Sequence, residues 1–177
     1  MHLLVIAALS VAGASCSDAT EPVGPDGRFD FTISGSVQQK SRGGAQLSRF
    51  DDGGWTRRIT MRTGQGLPEE WRIDLYLPGA SLPQAGAELE VVNDFNSART
   101  GSGASYVSVL GGGSDIMPIP RDWITTSGRI RINSSSTTRV DGSFTLDAHL
   151  GGSSPALGPV RIIGSFTAIC QAYPGCD

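Results

Sequence analysis

Between Phe29 and Ala168, apolar residues keep returning at every second position. Phe29, Phe31, Ile33 and Val37 alternate with polar residues, with Gly35 standing in the missing slot. Trp55, Ile59 and Met61 repeat the pattern, as do Trp71, Ile73, Leu75 and Leu77. Ile130 and Ile132 follow, then Val140, Phe144, Leu146, Ala148 and Leu150, then Val160, Ile162, Phe166 and Ala168. A period of two is the signature of a strand with one face buried, because successive side chains point to opposite faces. Shorter runs near residues 45–50, 88–92 and 106–110 bring the count to about nine strands. The one helical exception expected is a short turn near Pro120 to Trp123. Abundant glycine, 24 residues, suits short strands and tight turns. The chain therefore reads as all-β. An antiparallel β-sandwich of about nine strands is the favoured form, with a flattened closed β-barrel as the alternative. At this length it forms one domain, residues 28–177.

The pattern also proposes registers. Pairing Ile59 with Ile73 sets Met61 against Trp71 on the core face, and Arg58 against Asp74 and Arg62 against Glu70 on the other. On that reading the arginine group Arg57, Arg58, Arg62 and Arg72 is a solvated charged face rather than an anion site. Arg57 falls on the core side and must snorkel or sit at the rim. In the last hairpin, Phe144 is set opposite Phe166, Leu146 opposite Gly164 and Val140 opposite Cys170.

The amino terminus, MHLLVIAALSVAGASCSDATEP, has an apolar run from Leu3 to Ala12, too short for a permanent transmembrane helix of about 20 residues. Its length fits the core of a secretory signal peptide, residues 1–15. The positive segment that normally precedes such a run is missing, so the true start is expected upstream. Two cleavage sites compete. Ala12-Gly13-Ala14 fits an ordinary signal peptidase and leaves Ser15 first. Gly13-Ala14-Ser15-Cys16 resembles the lipobox of bacterial lipoproteins, although Gly13 replaces the usual Leu, Val or Ile. That resemblance implies that Cys16 becomes the first mature residue and carries the lipid. Residues 16–27 then form the anchor cysteine and a flexible polar tether. With Cys16 lipidated, the odd cysteine count resolves into a pair, Cys170 and Cys176, around the turn-forming Pro174-Gly175. Such a disulfide is worth roughly 2 kcal/mol on the loop-entropy estimate. TTRVDGSFTLDAHL followed by GPVRIIGSFTAIC is similar to the closing hairpin of small secreted bacterial lipoprotein domains. The likeness spans Gly128 to Ala168, implies an all-β fold behind a lipid anchor, and carries over no catalytic residue.

Chemistry-bearing constellations are sparse. His149 is the one histidine beyond the signal segment, which excludes a multi-histidine zinc site. Alternation points it outward, a solvent-facing strand histidine. Asp51-Asp52 and Glu69-Glu70 sit at turns, where paired carboxylates do not face each other across a cleft as glycoside hydrolysis requires. GGGSD at Gly111 lacks the lysine of a phosphate loop. No metal or cofactor is expected. Trp123, Tyr106 and Phe95 fall at or near the long loops 93–105 and 111–121 and are the candidate ligand-binding aromatics. A net charge of −3 argues against nucleic acid as a partner.

The first functional expectation is an exported, envelope-anchored lipoprotein on the outer membrane or cell surface. Its β-domain is non-enzymatic and serves a binding or structural role, and its partners are the membrane, through Cys16, and a glycan or other envelope component. The second is a secreted carbohydrate-binding or adhesion module. The third is a hydrolase using loop carboxylates such as Asp51, Glu70, Asp94 and Asp115.

Overall fold

The computed structural model describes residues 27–52, 55–63, 71–79, 81–93, 105–111, 121–151 and 158–170. Among them lie nine strands and no helix: β1 (Arg28–Gly35), β2 (Gln39–Asp52), β3 (Trp55–Arg62), β4 (Trp71–Pro78), β5 (Glu88–Val92), β6 (Ser105–Gly111), β7 (Arg121–Ser135), β8 (Arg139–Leu150) and β9 (Val160–Cys170). The helical turn expected to reach Trp123 is absent there: residues 121–123 open β7.

All nine strands belong to one sheet, in the order β1-β2-β3-β4-β6-β5-β7-β8-β9, and β1 pairs with β9 to close the ring. Of the two all-β forms read from the sequence, the pairing describes the closed one. The ladders are antiparallel except for short parallel contacts of β5 with β6 and of β2 with β9.

Alternation is preserved with the apolar set inside. Phe29, Phe31 and Ile33 of β1, Ile73, Leu75 and Leu77 of β4, and Val140, Phe144, Leu146 and Ala148 of β8 are all buried in one continuous core. Arginines, carboxylates and hydroxyls occupy the outer face, including Arg28, Asp30, Arg139, Asp141, Asp147 and Arg161. That is the reverse of a lipid-spanning barrel, whose outward band is apolar.

Glycines opposite aromatic rings let the ring of strands close tightly. In register, Phe29 faces Gly43, Trp71 faces Gly111, Phe144 faces Gly164 and Phe166 faces Gly142. A Cβ at Gly111 would stand 2.3 Å from the indole of Trp71, and one at Gly164 would stand 2.6 Å from the ring of Phe144. The two Gly-Ser-Phe repeats are therefore reciprocal, each glycine receiving the other repeat's phenylalanine. The rings form a connected row: Phe29 stacks on Phe31 at 5.5 Å, Phe31 meets Trp71 edge-on at 5.9 Å, and Trp71 stacks on Trp123 at 6.1 Å.

Both expected registers differ from the observed ones by two residues, and in the β8–β9 ladder the glycine–phenylalanine pairing accounts for the shift. Ile59 pairs with Leu75 and Met61 with Ile73, so Arg58 faces Tyr76 and Arg62 faces Arg72. Phe144 pairs with Gly164, Leu146 with Ile162 and Val140 with Ala168. A slip of two keeps every side chain on its own face, so the hydrophobic pattern cannot detect it. Arg57 is half-buried beside a register irregularity between Trp55 and Arg57 near the start of β3.

Asp141 ties three strands on the outside. It accepts from Arg139 Nε and Nη2 of its own strand, from Ser134 of β7, and from Thr167 Oγ1 of β9 at 2.6 Å. The Arg139 hydrogen bonds hold its carboxyl well below the usual carboxylate range, against the opposing effect of burial. A group with a depressed folded pKa contributes stability that is present above its unfolded value, near 4, and is lost as pH falls. Asp141→Asn is expected to destabilise the protein by about 1–2 kcal/mol at pH 7, the scale of a hydrogen bond to a charged group. The deficit relative to wild type should shrink between about pH 5 and pH 2. Denaturant midpoints measured across that range check this; an equal deficit at both ends would mean the charge is not what holds the strands.

Candidate functional site

Where β8 ends and β9 begins, outward positions of four strands converge. Asp147 and His149 lie two apart on β8 and so share its outer face. Arg161 of β9 is in register with Asp147 on one side and with Ser34 of β1 on the other. On β7, the pairing shifts between Thr125 and Ser127, where one extra residue, Thr126, is inserted. Its hydroxyl donates to the Asp147 carbonyl at 3.1 Å. These side chains, with Pro159 and Val160 as apolar walls, line a groove of about 440 Å³ on the barrel's exterior.

Arg161 grips Asp147 with two parallel bonds, Nε to Oδ1 at 2.8 Å and Nη2 to Oδ2 at 3.1 Å, and Ser127 Oγ donates to Oδ2 at 3.3 Å. Hydrogen bonding from Arg161, more than its charge at a distance, lowers the Asp147 pKa; burial opposes it. With both oxygens engaged, the carboxylate orients the guanidinium and not the imidazole of His149, which stands exposed at the groove's edge. The arrangement offers a planar guanidinium whose Nη1 is not used in the pair, an imidazole and hydroxyls. This is hydrogen-bonding equipment for a polar ligand. Among the described residues no three His, Cys, Asp or Glu side chains gather as a metal set.

The sequence candidates do not meet here. Trp123 is 2% exposed, its ring stacked on Trp71 and its Nε1 donating to the Gly111 carbonyl at 3.3 Å. It offers no face to a ligand, which corrects its reading as a binding aromatic. Tyr106 does sit outward, half-buried on β6, with its ring 5.6 Å from that of Tyr76 on β4. Phe95, Cys16 and Cys176 lie outside the described residues, as do Glu70, Asp94 and Asp115. Cys170 ends β9, packs against the core and is disulfide-bonded. His149 points outward, as alternation predicts. Ser34 and Arg161 were not singled out from the sequence. Each is an ordinary outward polar residue, and what joins them is the closure of β1 on β9.

The groove is far from where the chain enters the domain. Gly27 lies between the backbones of β9 and β2, where a side chain would collide with the Thr167 and Ala45 carbonyls, and its φ of +73° suits glycine alone. The groove borders the opposite ends of β1 and β9, at Gly35 and Val160. The eight residues of β1 separate the two by about 25 Å at the rise of a strand. Comparison with protein-family models, with curated proteins and with solved structures finds no match for this chain.

Proposed function

We propose that the protein is an exported, lipid-anchored envelope protein whose non-enzymatic β-domain binds a polar ligand in the groove formed by Ser34, Asp147, His149 and Arg161. The observation that carries this reading is the polarity of the domain. The chain enters at one end, and the groove lies at the other. A tether of about 11 residues between Cys16 and the domain reaches at most ~40 Å when fully extended. A domain hung from it by residue 27 turns its groove away from the lipid. The polar exterior agrees with a domain that stands beside a membrane rather than within it. The Asp147–Arg161 pairing favours binding over acid–base chemistry, because the carboxylate is committed to the guanidinium.

Mass spectrometry of the mature amino terminus tests the anchor. Diacylglycerol on Cys16 is the expected result, and Cys16→Ser should move the protein from the membrane fraction to the soluble one. One acyl chain binds reversibly, whereas several hold nearly permanently, since each buried CH₂ contributes about 0.8 kcal/mol. A native amino terminus at an unmodified Ser15 would instead support the secreted binding module.

A further inference from the structure

The groove at Arg161 and Asp147 has a composition that narrows the ligand it takes. The pair is charge-balanced and open to solvent, with the arginine side chain 56% and the aspartate side chain 38% exposed. Arginine carries N–H donors on three nitrogens, and Asp147 takes one from Nε and one from Nη2. The N–H groups of Nη1 and the second one of Nη2 remain on the free edge of the guanidinium. Oδ2 accepts from both Arg161 and Ser127, whereas Oδ1 accepts from Arg161 Nε and keeps a lone pair. His149 adds a ring that, when neutral, holds one donor and one acceptor. Donors and acceptors therefore stand side by side. Two aliphatic side chains flank this polar centre. Ile163 follows Arg161 by two positions on the outer face of β9 and is 52% exposed, and Ile124 of β7 stands opposite His149 and is 41% exposed. Among the described residues these are the large hydrophobics at the surface. Ile163 is level with Thr145 of β8 and Ile124 with His149. That separation along the strand is about 13 Å.

We infer that the groove binds a neutral oligosaccharide, an inference that rests on the reading of the groove as a ligand site. A sugar hydroxyl both donates and accepts. One hydroxyl takes an N–H from the free edge of the guanidinium, and a neighbouring one donates to Oδ1 of Asp147. The C–H faces of the rings pack on Ile163 and Ile124 at either side. The isoleucines stand further apart than one pyranose ring spans, so the ligand has at least two rings. Other ligand classes match less. An anion gains little from a guanidinium whose charge Asp147 already balances at 2.8 Å. A metal cation finds no set of three ligating side chains among the described residues. An extended peptide docks by adding to an open sheet edge, and β1, β7, β8 and β9 are each paired on both sides. An amphipathic helix needs a continuous apolar groove, and the centre of this one is an ion pair.

The test is an array of neutral oligosaccharides probed with the purified full chain, in a detergent without a sugar headgroup. Calorimetric titration of the strongest binder follows. Tripolyphosphate and the capped peptide acetyl-Leu-Ser-Leu-Ser-Leu-amide are titrated as the anionic and peptide arms. Binding to a neutral oligosaccharide and to neither of the other two is expected. Its affinity should fall by about tenfold or more in Arg161→Gln, the scale of a hydrogen bond to a charged group. It should fall by about threefold in Ile163→Thr, which removes buried apolar area from the complex, and stay unchanged in Glu90→Gln on β5. Ile163→Thr keeps a β-branched residue at an exposed strand position and leaves the Asp147–Arg161 pair in place. Its melting temperature should match the wild type, so its weaker binding reports a lost contact and not a lost fold. The inference is overturned if no oligosaccharide binds, or if affinity survives Arg161→Gln or Ile163→Thr, or if Glu90→Gln weakens it equally. Arg161-dependent binding of tripolyphosphate or of the peptide in place of an oligosaccharide overturns this ligand class and leaves the groove as a ligand site. Silence in every arm overturns both.

Discussion

Gly111→Ala is expected to destabilise the protein by about 2–3 kcal/mol, the scale of overpacking in a tightly packed core. For a domain of roughly 150 residues this lowers the melting temperature by about 5–10 °C. The added methyl group would arrive 2.3 Å from Cδ2 and 2.4 Å from Cε3 of Trp71, closer than any real contact. The indole cannot withdraw, because it stacks on Trp123, meets Phe31 edge-on and donates from Nε1 to Gln39 Oε1 at 3.0 Å. Something in the row of rings must shift, and its neighbours share the cost. Gly158→Ala is the matched control: the nearest atom to its Cβ is an ordinary 3.7 Å away, and its change should be close to neutral. A double-mutant cycle identifies the cause. Combining Gly111→Ala with Trp71→Phe should cost less than the sum of the two, since the smaller ring makes room for the methyl group. Thermal unfolding followed by circular dichroism reads all four proteins. If Gly111→Ala and Gly158→Ala melt together, the register of β4 on β6 is not the one described.

The same pairing explains how much of the fold was legible in the sequence. Alternation identified the strands and which residues face inward, because a period of two is visible within a single strand. It could not fix how neighbouring strands align, because slipping by two leaves both faces intact. The Gly-Ser-Phe repeats, which look like a weak family motif, carry that information: each phenylalanine needs a glycine across from it, and one alignment satisfies both. In the β3–β4 ladder, too, the true register lies two residues from the expected one and exchanges Asp74 and Glu70 for Tyr76 and Arg72 as the partners of Arg58 and Arg62. The groove was hidden for another reason. Asp147 and His149 are readable as outward neighbours on one strand. Arg161 meets Asp147 only in the observed β8–β9 register, which alternation leaves open by two, and Ser34 joins through pairing of the first and last strands, which no local pattern announces.

Trp123→Ala is expected to cost about 3–5 kcal/mol, as large-to-small changes at buried aromatic positions do. Against a typical domain stability of about 5–15 kcal/mol this is a large fraction. The outcome separates two roles for one residue. A tryptophan that stacks a sugar on a loop can be removed with loss of binding and little loss of stability. Trp123 is instead inside: it stacks on Trp71, its Nε1 donates to Gly111, and it is 2% exposed. The sequence concealed this because β7 carries an extra residue between Thr125 and Ser127. Counting inward positions back from Ile132 and Ile130 by twos arrives at Asp122, one position out of phase with Trp123. The insertion restores the phase, so Trp123 and Thr125 face the core on one side of it and Ile130 and Ile132 on the other. Trp123→Phe keeps a ring against Trp71 and should recover more than half of the loss. Denaturant unfolding of the two variants measures the difference. A Trp123→Ala protein with the wild-type midpoint would place the indole at the surface and return it to the ligand-binding candidates.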